Sequence, residues 1–171
     1  MKTALARLLA LWVVSACPDA ELCAFNDCGS CGNACCKLLI KVTESPSEAM
    51  KMLNASMHKG GPDNAYAPSM TYEGTSGFAD LTPYGKPVDF IGQAIHTTTG
   101  ENAFDDSVSF TIAPSGSGSE IEAFSYSLIA GAYCDDGQNY FNIVYLVDSI
   151  EWSAGYTIKQ TGSCPAPAAK K

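Results

Sequence analysis

Apolar and polar residues alternate most cleanly in SVSFTIA, residues 107–113, where Val108, Phe110 and Ile112 interleave with Ser107, Ser109 and Thr111. A period of two turns one side of the chain toward a core and the other toward solvent, which predicts a half-buried strand. EIEAFSYSL (120–128) alternates in the same way, and PSGSGS (114–119) between the two runs reads as a turn. DFIGQAIHTTT (89–99) is predicted to pair with 107–113, KLLIKVT (37–43) is a further short strand, and a last strand is expected at about 152–159.

Two segments carry the helical period. Ser45 suits an N-cap, Pro46 the first helical position, and Glu48 completes a capping box. Ala49, Met50, Leu53 and Met57 then recur on one face, and Lys59-Gly60-Gly61-Pro62 stops the helix. The second helix is predicted over 138–149 with Asp136 as its cap and Ile143, Leu146, Val147 and Ile150 as its apolar stripe. Residues 63–88 are rich in Gly, Pro and Tyr and poorly periodic, so they read as a loop with one short strand near 70–72. The order implies an α+β fold: an antiparallel sheet with two helices packed on one face, a two-layer sandwich.

The first sixteen residues stand apart. MKTALARLLALWVVSA has Lys2 and Arg7 in front of an apolar run and ends in Ser15 and Ala16, the layout of a secretory signal peptide. Its apolar run is far shorter than the roughly 20 residues a membrane-spanning helix needs, so no transmembrane segment is expected in the mature chain. Secretion or residence in the lumen of the secretory pathway is expected. A bacterial lipobox with Cys17 acylated is the alternative, and it would leave an odd number of cysteines. Without Lys2 and Arg7 the 10 Lys and Arg fall to 8, against 18 Asp and Glu, a formal charge of −10. Nucleic-acid binding needs clustered cations, so it is not expected here.

Eight cysteines remain after the leader. Cys23, Cys28, Cys31, Cys35 and Cys36 crowd into CAFNDCGSCGNACC (23–36), with Cys17 before them and Cys134 and Cys164 far downstream. A zinc site would want a second CxxC pair after Cys28–Cys31, and a redox pair would want a helix after it in place of Gly32-Asn33. A disulfide-rich N-terminal loop fits best. Cys134 and Cys164 either pair with each other or reach back to the cluster. The resulting division is a leader (1–16), a cysteine-rich segment (17–36), one α+β domain (37–160) and a tail (161–171).

SYSLIAGAYCDDGQNYFNIVYLVDSI, residues 125–150, resembles the C-terminal signature of the domain-of-unknown-function family numbered 1499. The matching positions are Ser125, Ser127, Gly131, Tyr133, Asp135, Gly137, Asn139, Ile143 and Leu146. The helix start Ser45–Ala49 and the region Phe90–Phe110 are similar to earlier parts of that family, so the likeness spans roughly residues 28–150. The dense cysteine cluster and the Gly/Tyr-rich central segment depart from it. The resemblance implies an α+β domain of exported or plastid-associated proteins and no particular activity.

Candidate chemistry is sparse. Tyr133, Asp135, Asp136 and Asn139 around Gly137 are a candidate cation or polar-ligand site at a helix start, with capping as the plainer reading. His96 with Asp135 or Asp136 is the candidate acid–base set of a hydrolase or metal-dependent enzyme. His58 suits a helix C-terminus. Asn54-Ala55-Ser56 is a glycosylation sequon. No complete nucleotide or metal motif occurs, so no cofactor is expected. The favoured function is a non-catalytic binding or accessory module for an unknown protein or a small apolar ligand, with Tyr66, Tyr72, Phe78 and Tyr84 as contact residues.

Overall fold

The structure is a computed structural model, and it describes residues 34–99, 102–129, 132, 135, 137–160 and 164. The leader, Cys17, Cys23, Cys28, Cys31, Tyr133, Cys134 and Asp136 lie outside the described residues. So does the tail apart from Cys164.

The chain runs β1 (Cys35–Val42), α1 (Pro46–His58), β2 (Tyr66–Pro68), β3 (Phe78–Asp80), β4 (Phe90–Thr97), β5 (Asp105–Ser115), β6 (Gly118–Ser127), α2 (Gln138–Asp148) and β7 (Tyr156–Gln160). The seven strands form one sheet in the order β2-β4-β5-β6-β1-β7, with β3 sharing the β2 edge of β4. Every pairing is antiparallel. The α+β sandwich expected from the alternation is what the chain builds.

Alternation explains the packing. Leu38, Ile40 and Val42 of β1 are buried, as are Val108, Phe110 and Ile112 of β5 and Ile121 and Ala123 of β6. Ala49, Leu53 and Met57 of α1 and Ile143, Leu146 and Val147 of α2 close over them. Burying one such side chain contributes about 1.5–3 kcal/mol, so this layer dominates the fold's stability. The α1 start forms as the capping box requires: Ser45 Oγ accepts from Glu48 N, and Glu48 Oε2 accepts from Ser45 N at 3.1 Å.

Three expectations need correction. The segment 63–88 holds two short strands and a 3-10 turn at Thr82–Tyr84, while Met70 makes only an isolated bridge to Ser76. The cap of α2 is Gly137, at φ 86°, and the carboxylate over the helix start is that of Asp135. Only a glycine takes that left-handed backbone cheaply. Last, β7 begins at Tyr156, because Trp152 is held back beside α2 by a 3.0 Å bond from its indole Nε1 to Val147 O.

Cys164 pairs with Cys36, Cα to Cα 5.0 Å, tying the chain beyond β7 to the start of β1. The tail cysteine therefore reaches back to the cluster, and a Cys134–Cys164 pair is excluded. Cys35 is disulfide-bonded too, and no described cysteine is free.

Candidate functional site

Register makes the inner face of the sheet uneven. Across the strands, Gly92 meets Phe110 and Ala123, and Phe90 meets Ile112 and Ile121, which is ordinary core. At the opposite end His96 meets Asp106, which meets Ser127, and Val108 meets Ser125, which meets Cys36. The N-terminal turns of α2 lie over this end, because Asn139 and Asn142 occupy the same helical stripe as Ile143 and Leu146. His96, Asp106, Ser125, Asn139 and Asn142 are each no more than 2% exposed.

Apart from His96, these groups satisfy one another. Asn142 Nδ2 donates to Asp106 Oδ2 (2.8 Å) and to Ser125 Oγ (3.2 Å), and Ser127 Oγ donates to Asp106 Oδ1 (2.6 Å). Ser125 Oγ donates to Asn139 Oδ1 (2.6 Å), and Asn139 Nδ2 reaches Asp135 Oδ2 (2.7 Å) and Ala34 O (3.0 Å). Asp135 also takes the backbone N–H groups of Gly137 (3.0 Å) and Asn139 (2.8 Å). Such a network specifies one arrangement of α2 on the sheet, since each unmade bond in a dry layer is costly. Ser125, Ser127, Asp135, Gly137 and Asn139 all belong to it.

His96 sits at the edge of this network. Its Nε2 donates to Asp63 Oδ2 at 2.9 Å, and its ring lies 4.5 Å from that of Tyr66. Tyr66 in turn donates to Asn142 O at 2.6 Å, and burial followed by the charges of Asp63 and Asp106 raises its pKa. The carboxylate partner of His96 is therefore Asp63, on the loop after α1. Asp135 is spent on the α2 start, so the expected His96–Asp135 set does not assemble as a direct pair. Nδ1 of His96 is buried without a partner, so neither ring nitrogen is open to a substrate. Among the described residues no His, Cys, Asp and Glu side chains gather in a set that could hold a metal ion.

The aromatic residues of the central segment divide. Tyr66 (5% exposed) and Phe78 (7%) are core, so they cannot form part of a contact surface. Phe78 lies on Gly92: a Cβ there would stand 2.5 Å from its ring carbons, a space that only glycine leaves open. Tyr72, fully exposed, and Tyr84 (57%) do face outward, joined by Met70 (67%), which sequence reasoning missed because an isolated Met carries no periodic signal. Tyr72 rides a tight turn closed by Gly74 N to Thr71 O (3.0 Å), Thr71 N to Thr75 O (2.8 Å) and a 2.6 Å contact between the two threonine hydroxyls. Tyr84 Oη donates to Glu73 Oε1 at 2.9 Å, which fastens the 3-10 turn to this tip.

Asn54 lies on α1, half-buried, with Oδ1 packed against Gly77 and unpartnered. His58, at the C-terminal end of α1, has Nε2 3.4 Å from Ser76 O. The chain matches no family model, no curated protein and no solved structure.

Proposed function

We propose that this is a secreted or lumenal, disulfide-stabilised binding module that engages a protein partner through residues 69–86 and carries out no chemistry of its own. The observation that carries the reading is the display of Met70, Tyr72 and Tyr84 on a loop whose base is anchored in the core by Tyr66 and Phe78. Rigid, exposed aromatic side chains bury much area on contact and lose few rotamers. Export is supported by the Cys36–Cys164 bridge and the bonded Cys35, since such bonds persist in oxidising compartments. Kinship with the family numbered 1499 is part of the proposal. A hydrolase built on His96 has less support, because both nitrogens of that ring are enclosed or engaged.

The test is selection of random displayed peptides against the purified mature chain, followed by affinity measurement on Tyr72→Ser and Tyr84→Ser. Both positions are exposed, so the far-UV spectrum should be unchanged while affinity drops. Selected peptides that bind both variants as tightly as the parent chain would overturn the reading.

A further inference from the structure

We infer that the surface at Tyr72 and Tyr84 takes a basic protein segment, its Lys or Arg side chains lying on the tyrosine faces beside the Glu73 carboxylate. This rests on the binding reading above and names the chemistry of the partner. Three observations lead there.

The exposed aromatics and the charge occupy the same spot. Tyr84 is bonded to Glu73, and Glu73 follows Tyr72 on the tip of the turn. The hydrogen bond to Glu73, then the charge of Glu73, and least the charge of Asp80, hold the Tyr84 hydroxyl above its ordinary pKa. Two carboxylates therefore act on one exposed ring. A phenol ring attracts a cation over its face, and a neighbouring carboxylate adds to that attraction.

Among the described residues neither carboxylate has an ion-pair partner. The ion pairs among the described residues are Lys37–Glu122, Lys41–Glu120 and His96–Asp63, none of which includes Glu73 or Asp80. Lys86, the lysine of the same segment, is exposed and joins none of them. The hydrogen bonds that Asp80 makes, to Thr82 N (2.8 Å) and Thr82 Oγ1 (2.6 Å), leave its charge uncompensated.

The whole chain favours the same partner. Its formal charge is −8 with the leader included, so long-range attraction brings in basic surfaces and repels acidic ones. An apolar partner without charge would use the rings and Met70 but would leave Glu73 and Asp80 unanswered.

The experiment measures anisotropy of a labelled Gly-Arg repeat peptide with the purified mature chain, against the same peptide carrying citrulline at every arginine. The expected result is binding of the arginine peptide only, weakening with salt. Tyr72→Ser and Tyr84→Ser, which change no charge, should each weaken it about two- to thirtyfold, the range of a cation–π contact. Glu73→Gln should weaken it more than Glu122→Gln, which removes one charge from the outer face of the sheet. Equal binding of the citrulline peptide, no binding of either, or indifference to both tyrosines would overturn the inference. If the displayed peptides selected above prove free of Lys and Arg yet depend on Tyr72, this inference fails and the binding reading stands. If they ignore Tyr72 and Tyr84, both fail.

Discussion

Asn142 hands its side-chain amide to the carboxylate of Asp106 at 2.8 Å, so α2 is joined to β5 by a polar bond within the buried polar end of the layer. Asn142→Leu would leave the 1%-exposed Asp106 with one oxygen short of a donor. A loss of about 2–4 kcal/mol is expected by urea unfolding. Asp106→Leu with Asn142→Leu together should lose less than the sum of the single changes, because neither residue is then left buried without the other. Additive losses would show that the bond carries no coupling.

Removal of Asp135 should loosen the second helix. Asp135→Ala deletes the acceptor for Gly137 N and Asn139 N and is expected to cost about 0.5–2 kcal/mol, the range for losing a cap. Asp135→Asn keeps one acceptor oxygen and should recover part of it. Thermal unfolding of the two variants separates these outcomes.

Gly92→Ala should destabilise by about 1–3 kcal/mol through overpacking, since the new methyl meets the Phe78 ring. Adding Phe78→Leu should relieve part of that loss. A fully tolerated Gly92→Ala would mean that Phe78 is free to move, and the anchoring of the 69–86 loop would then need another explanation.

The Cys36–Cys164 bridge closes a sequence separation of 128 residues. Replacing both cysteines with serine should lower stability by about 2–4 kcal/mol, mostly by freeing the unfolded chain. A thiol reductant should lower the melting temperature of this variant less than that of the parent, since only the bond at Cys35 remains among the described cysteines.

Glu44 supplies a pH dependence. Burial pushes its carboxyl up, but the 2.6 Å bond from Ser153 N and further hydrogen bonds outweigh this, and its pKa lies below the ordinary 4.5. A folded-state pKa below the unfolded one contributes stability that is present above about pH 4.5 and lost as pH falls through the lower value. Glu44→Gln should therefore flatten the acid limb of the stability curve and leave the neutral plateau parallel to the parent's. An unchanged acid limb would remove Glu44 from this role.

The parts of the fold open to sequence reasoning were those with an uninterrupted local signal. The Ser45–Glu48 box sets the α1 start because both bonds are made within four residues. The alternation in 107–113 sets β5 because one face must leave water. By contrast, β2 and β3 are three residues each, too short for a period, and they exist because the edge of β4 offers them partners.

The polar end was half visible. His96 falls in phase with Phe90, Gly92 and Ala94, Asp106 with Val108, and Asn139 and Asn142 with Ile143, so each could have been placed on the inner face of its own element. That Asp63 would be the partner of His96 had no local signal. The two are 33 residues apart and meet only because β2 lays Tyr66 beside His96.

Local order alone determined the types of the longer elements, the start of α1, the sandwich class and the acidic charge, because these follow from side chains acting on their own stretch of backbone and on water. Tertiary structure decided which polar groups meet, which tyrosines face solvent and which cysteine binds Cys164. Those outcomes depend on strand register and on one helix's placement over a sheet, and both are fixed by contacts between residues far apart along the chain.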